Sequence, residues 1–262
     1  MFTDEEPNWT TGVWIMDLTS KRVSRLTNLA HGCFHPVWSS DGNEIIYANG
    51  NEQGMKLLRQ AITSAEPITL LDTAGPKFPT DWSADGRFVT YFTPWPDFVR
   101  LRTVLLDIKN ATSRILLESH YNEAEAVLCP EKAGPRWLAY VSTETGRPEV
   151  YVRSFPDPGQ KVQISDGGGW QPIWRKDAHE LFYLSSEGVL MAVDVTIGKQ
   201  FRAELPHPLF RTNIRPYPGR PELPANSYAV SKDGQRFLVN QGIDEAARNT
   251  ISVVTHWQAI RP

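Results

Sequence analysis

Five chemically unlike residues occupy one position of a repeating phrase. Three residues before a recurring anchor stand His35, Pro79, Glu125, Gln171 and Ser227; five before it stand Cys33, Lys77, Glu123, Gly169 and Ala225. Side chains two apart on a strand share a face. If the repeats surround an axis, His35, Glu123, Glu125 and Gln171 are therefore expected to turn toward it. His31, Asp81, Tyr121, Asn122, Trp170, Asn226 and Tyr228 are their near neighbours. An imidazole with carboxylates and amides around an open position could hold a divalent cation and lower the pKa of its water. On that reading His35, Glu123 and Glu125 are both metal ligands and catalytic groups. Gln171 or Trp170 would position the substrate, and Asn226, Tyr228 and Asp81 complete the ligand-binding wall. The chemistry would be hydrolysis of ester-, lactone- or phosphoester-like substrates. The simpler reading of the same residues is the hydrogen-bonded wall of a water-filled polar channel.

Other chemistries leave no local signature. There is no Gly-x-Ser-x-Gly elbow, and His120, His179, His207 and His256 have no spacing with Ser and Asp that marks a triad. Neither Cys-x-x-Cys nor His-Glu-x-x-His occurs. The run Gly167-Gly168-Gly169-Trp170 is not a phosphate loop, because no helical pattern follows it. Its glycines would let the backbone pass close to an axis or a ligand, with Trp170 at the rim. Cys33 and Cys129 sit at different offsets in different repeats and read as free, buried thiols.

The elements that must position these residues follow from the anchors Trp38, Trp82, Leu128, Trp174 and Val230, spaced 44, 46, 46 and 56 residues apart. After four of them comes a turn: Ser39-Ser40-Asp41-Gly42, Ser83-Ala84-Asp85-Gly86, Arg175-Lys176-Asp177-Ala178 and Ser231-Lys232-Asp233-Gly234. Tyr47, Tyr91, Tyr183 and Val239 recur nine residues after the anchor. A period in the mid-forties predicts an all-β β-propeller of four-stranded antiparallel blades, about five to six of them. The Asp of each turn is expected to shape it by accepting backbone N–H groups, and the Trp anchors to wedge between blades. No segment has a sustained 3.6-residue apolar period, so almost no helix is expected.

The 262 residues read as a single propeller domain. Its repeats run near 12–30 (partial), 31–73, 74–119, 120–166, 167–211 and 226–258, starting in mid-blade. The segment 212–226 is a Pro-rich insertion, with Pro216, Pro218, Pro221 and Pro224, suited to a flap or a rim. Open blade edges are expected either to be closed by the chain's ends or to pair with another copy in a homo-oligomer. A net charge of −3 without basic runs argues against nucleic-acid binding. No apolar stretch approaches the ~18 residues of a membrane span, and the acidic Met1–Asn8 segment does not read as a signal peptide.

The words Trp-Ser-x-Asp-Gly, with Pro36 and Pro172 two residues before their anchors, resemble the WD-type repeats of TolB-like β-propellers. Trp137–Ser142, Gly146–Arg153, Gln171–Arg175, Glu180–Leu184 and Gly234–Asn240 resemble the C-terminal propeller of bacterial transmembrane serine/threonine kinases. The likeness covers nearly the whole chain from Gly12 onward. It implies an extracytoplasmic sensory or scaffolding module attached to other domains. The chain itself has no kinase signature. The leading expectation is a binding module that presents its channel mouth to a protein, peptide or small ligand. The alternative is the metal-assisted hydrolase described above.

Overall fold

The computed structural model describes residues 2–5, 11–29, 31–51, 54–94, 100–214, 226–241 and 250–255. Met1, Pro216, Pro218, Pro221, Pro224, Ala225 and His256, and with them most of the Pro-rich insertion, lie outside the described residues. The chain forms two compact units, Met1–Glu118 and Ser119–Pro262. Every regular element among the described residues is a β-strand. None is a helix long and apolar enough to cross a membrane.

The first unit holds three antiparallel sheets. β1 (Phe2–Glu5), β2 (Thr11–Met16) and β3 (Val23–Arg25) form the first, with β1 one strand more than the sequence led us to expect there. β4 (Gly32–Trp38), β5 (Glu44–Asn51), β6 (Gly54–Ala61) and β7 (Ile68–Asp72) form the second, in chain order. β8 (Phe78–Trp82), β9 (Phe88–Pro94), β10 (Leu101–Asp107) and β11 (Thr112–Leu117) form the third. The second unit repeats the plan with β12 (Glu123–Leu128), β13 (Trp137–Ser142), β14 (Glu149–Ser154) and β15 (Lys161–Gln163). Its next sheet contains β16 (Gly169–Trp174), β17 (Glu180–Ser185), β18 (Val189–Ile197), β19 (Phe201–Ala203) and β20 (His207–Arg211). Here β18 pairs with β19 along its second half and with β20 along its first, so two short strands share one edge. β21 (Tyr228–Val230), β22 (Arg236–Gln241) and β23 (Thr250–Thr255) complete the unit.

The recurring words are scaffolding. Asp41 accepts from the Ser39 hydroxyl at 2.6 Å and the Asn43 N–H at 3.0 Å, while Ser39 Oγ accepts from the Glu44 N–H at 3.0 Å. Ser83 with Asp85, and Ser231 with Asp233, repeat this box. Gly42, Gly86 and Gly234 close it at φ between 72° and 77°. Ala178 takes the same left-handed place at φ 62°, its methyl packed into the core. Among the anchors, Trp82 packs on Met55 and Leu57 of the preceding sheet. The Trp174 indole N–H donates to Val127 O of the preceding sheet at 3.2 Å. Trp38 differs: it is 38% exposed, and the interface it was expected to wedge is filled by Val13, Cys33, Ile45 and Tyr47. Cys33 and Cys129 are both buried, and no disulfide joins them.

Candidate functional site

The position three before the anchor has its own backbone geometry. His35, Glu125 and Gln171 all sit in the left-handed region, at φ 49°, 54° and 50°. Each lies at a register shift where its first strand meets the second: Phe34/Val37, Ala124/Val127 and Trp170/Ile173. The extra residue is a β-bulge, a place where glycine commonly supplies positive φ. Here an imidazole, a carboxyl and an amide occupy it, at a cost of about 1–2 kcal/mol each. The bulge also interrupts the period-2 alternation, so residues three and five before the anchor need not share a face. Pro79 cannot adopt positive φ, and in its strand the shift falls between Pro79 and Asp81 instead.

In the second unit these residues form a belt from sheet to sheet. Glu125 Oε2 accepts the Gln171 backbone N–H at 2.5 Å. Gln171 Oε1 in turn accepts the Ser227 backbone N–H at 2.9 Å, and its Nε2 donates to Ser227 Oγ at 3.3 Å. The buried Tyr228 hydroxyl donates to Gln171 O at 2.7 Å. A side chain at the bulge of one sheet thus clasps the backbone of the next sheet's corresponding residue. Burial pushes the Glu125 carboxyl up to about 7, against the lowering effect of the Gln171 N–H. Burial, and then the Glu125 charge, raise the Tyr228 hydroxyl well above its usual range. Asn226 is exposed beside Ser227. Trp170 is half-buried next to Gln171, and its buried indole N–H finds no acceptor among the described residues.

Glu123 belongs elsewhere. It is buried on β12 opposite Ser142. Burial raises its carboxyl, while the Ser119 hydroxyl and the Lys161 and Arg153 charges lower it. Glu123 and Glu125 therefore answer to different partners within their unit. The glycine run is also internally occupied. The buried Glu149 carboxylate accepts from the Gly167 and Gly168 N–H groups at 3.1 and 2.9 Å, from Arg147 Nε at 2.7 Å and from Ser165 Oγ. A Cβ at Gly168 would lie 2.8 Å from Ser186 Cβ.

In the first unit, His35 crosses to the next sheet as its counterparts do, but Pro79 offers no N–H to clasp. Its ring meets Phe78 and Phe92 at centroid distances of 5.1 and 5.7 Å. Burial lowers the imidazole to about 4, so it is neutral at pH 7. Asp81 is half-buried opposite Thr90. Lys77 is buried, and its ammonium donates to the carbonyls of Met55, Thr73, Ala74 and Gly75 at 2.9, 2.5, 3.2 and 2.9 Å. Tyr121 and His31 are exposed. Among the described residues, no group of three or more His, Cys, Asp or Glu side chains is arranged to hold a metal ion.

No family model and no curated protein matches the sequence. Solved structures do match. TolB from Acinetobacter baumannii aligns at TM-score 0.72 and 14% identity, over 94% of this chain and 57% of that one. The chain thus spans little more than half that protein's length. An oligogalacturonate lyase in complex with manganese aligns at TM-score 0.61 and 11% identity, over 97% of this chain and 70% of that one. A puromycin-hydrolyzing peptidase from Mycobacterium tuberculosis aligns at TM-score 0.60 and 19% identity, over 98% of this chain and 43% of that one. The fold is that of the TolB-like β-propellers, all-β, with antiparallel sheets of three to five strands, several of them four-stranded.

Proposed function

We propose that this chain is a binding module that offers the polar inner strands of its second unit to a protein, peptide or small ligand. The observation that carries the reading is the hydrogen-bonded belt Glu125–Gln171–Ser227 beside the indole N–H of Trp170, which has no acceptor among the described residues. Unlike side chains are held on an identical, strained backbone, and a strained backbone at a repeated position points to selection for side-chain placement. A buried donor left without an acceptor is rare in folded proteins, and a shift of the half-buried Trp170 ring would offer it to a ligand acceptor. The resemblance to kinase-attached propellers fits the same reading, in which the module senses a ligand for domains joined to it. Random peptides displayed on phage and selected on the immobilised protein provide the test. Selected peptides should lose about tenfold in affinity on Trp170→Phe, the effect of one hydrogen bond. Peptides that bind Trp170→Phe unchanged, or an empty selection, would remove this surface as the site.

A metal-assisted hydrolase is the second reading, favoured by the near-neutral Glu125 carboxyl and by the manganese of one fold neighbour. It calls on His35, Glu123 and Glu125 as the cation's ligands. The geometry within the second unit does not fit that set, because Glu125 is engaged by Gln171 while Glu123 faces Ser119 and Lys161. Elemental analysis with generic esterase and phosphoesterase assays, before and after chelation, separates the two readings. Chelator-sensitive turnover lost in Glu125→Ala would establish the hydrolase in place of the binding module.

A further inference from the structure

Most carboxyl groups that are buried or half-buried in this fold sit against a cation. Glu44, Asp107, Glu131, Glu144, Glu149 and Glu180 each contact an arginine or a lysine. Glu125 contacts neither among the described residues. The strands beside it in its unit, β13, β16 and β21, contain no Asp, Glu, His, Lys or Arg. β12 itself adds only Glu123, which answers to Ser119, Lys161 and Arg153.

The carboxyl is surrounded by protein but not sealed, since Glu125 is only half-buried. Its Oε2 is held by the Gln171 N–H at 2.5 Å. Its Oε1 has no hydrogen-bond or ion-pair partner among the described residues and is not shut away from solvent. The left-handed bulge at φ 54° and the bond to Gln171 hold the group in place. The second unit thus turns one open, uncompensated carboxyl oxygen toward whatever meets its inner strands.

One open oxygen selects among cations. A divalent metal ion needs several ligands, and among the described residues no such set is assembled. A guanidinium pairs best through two parallel bonds to both carboxyl oxygens, and Gln171 already occupies one of them. A primary ammonium is a compact charge that can take a single oxygen and leave its other donors to water. We infer that the ligand of this surface presents a primary ammonium, from a lysine side chain or a peptide N-terminus, to Oε1 of Glu125. The inference rests on the binding-module reading above. The ammonium needs the ionised carboxylate, and burial raises that group to about 7, so binding near neutral pH expels a proton. Tyr228 is the other titratable group that feels the Glu125 charge, and it stays protonated throughout this range.

Four tripeptide amides test the inference: acetyl-Ala-Lys-Ala, acetyl-Ala-Arg-Ala, acetyl-Ala-norleucine-Ala and Ala-Ala-Ala with a free N-terminus. Each is titrated into protein labelled with ¹⁵N-glutamine and read at the Gln171 backbone N–H, assigned from Gln171→Ala. At pH 7.5 the lysine peptide or the free N-terminus should move this resonance saturably, and the tighter of the two identifies the source of the ammonium. The norleucine peptide should bind at least about tenfold more weakly, and the arginine peptide at least about threefold. Lowering the pH to 6 should weaken the preferred peptide about fivefold. In Glu125→Gln, whose amide oxygen can still accept the Gln171 N–H, affinity should fall at least about tenfold and lose its pH dependence. No response to either ammonium up to about 10 mM, a range that covers Kd values to about 1 mM, would overturn the inference. So would equal affinity for the norleucine or arginine peptide, or affinity unchanged in Glu125→Gln. Phage-selected peptides that depend on Trp170 but bind equally after acetylation of their amines would overturn the ammonium alone and leave the binding surface standing.

Discussion

Gln171 joins three sheets of the second unit through four polar groups: its N–H to Glu125, its C=O to Tyr228, and both ends of its amide to Ser227. It makes these contacts from a left-handed backbone that a residue with a Cβ adopts at a cost. Strain and side-chain function can be separated by two truncations. Gln171→Gly and Gln171→Ala both remove the amide and leave the Ser227 N–H without its acceptor. Glycine relieves the backbone, whereas alanine keeps the strain and loses what offset it. Gln171→Ala should therefore be less stable than Gln171→Gly by about 1 kcal/mol, the reverse of the usual order in a strand. Urea unfolding of the two variants measures the difference; equal stabilities would mean that the bulge is relaxed. The sequence marked position 171 as unusual but held no sign of its conformation. Positive φ announces itself through Gly or Asn, and here it is carried by His, Glu and Gln.

At the scale of elements, what could be read in advance was what is local. The Ser-x-Asp-Gly box closes within five residues, so its strands, turns and hydrogen bonds follow from the phrase alone. What escaped depends on distant partners. Glu149 meets Gly167 and Gly168 from 18 and 19 residues away, and the glycines that looked like room for a ligand are filled by the chain's own carboxylate. The bulge in β12 was equally hidden, because one inserted residue separates the roles of Glu123 and Glu125 without changing their spacing in sequence. Lys77 was read only as an inner-strand residue. Its ammonium instead ties the Thr73–Gly75 loop to Met55 at the start of β6. Lys77→Met keeps the length and the apolar stem but leaves four carbonyls facing a methyl group. The expected loss is about 2–3 kcal/mol, in line with buried hydrogen bonds to a charge. It should appear as a lower urea midpoint with an unchanged slope. A loss below about 0.5 kcal/mol, the level of ordinary surface substitutions, would mean that water serves the loop equally well.

For the whole molecule, two buried titratable groups act on stability in opposite directions within one pH window. His35 falls to about 4 in the folded state, below its usual value near 6.5. Between those values the unfolded chain binds more protons, so stability is lost as pH falls from about 6.5 to about 4. Glu125 rises to about 7, above its usual value near 4.3. Between those values the folded chain binds more protons, and stability is lost as pH rises from about 4.3 to about 7. The two slopes oppose each other across roughly pH 4.5 to 6.5 and flatten the profile there. The exposed turn carboxylate Asp41, held down to about 2 mainly by the Ser39 hydroxyl, acts only in stronger acid. Single variants should unmask each slope. Glu125→Gln removes the group that favours acid, so its stability should rise with pH across the window. His35→Gln removes the group that favours neutrality, so its stability should fall with pH there. Glutamine suits both places, since Gln171 already occupies this bulge conformation in its own repeat. Urea unfolding of the parent and both variants from pH 4.5 to 7.5 reads the three slopes. Parallel profiles would show that water reaches both groups and holds them near their ordinary values.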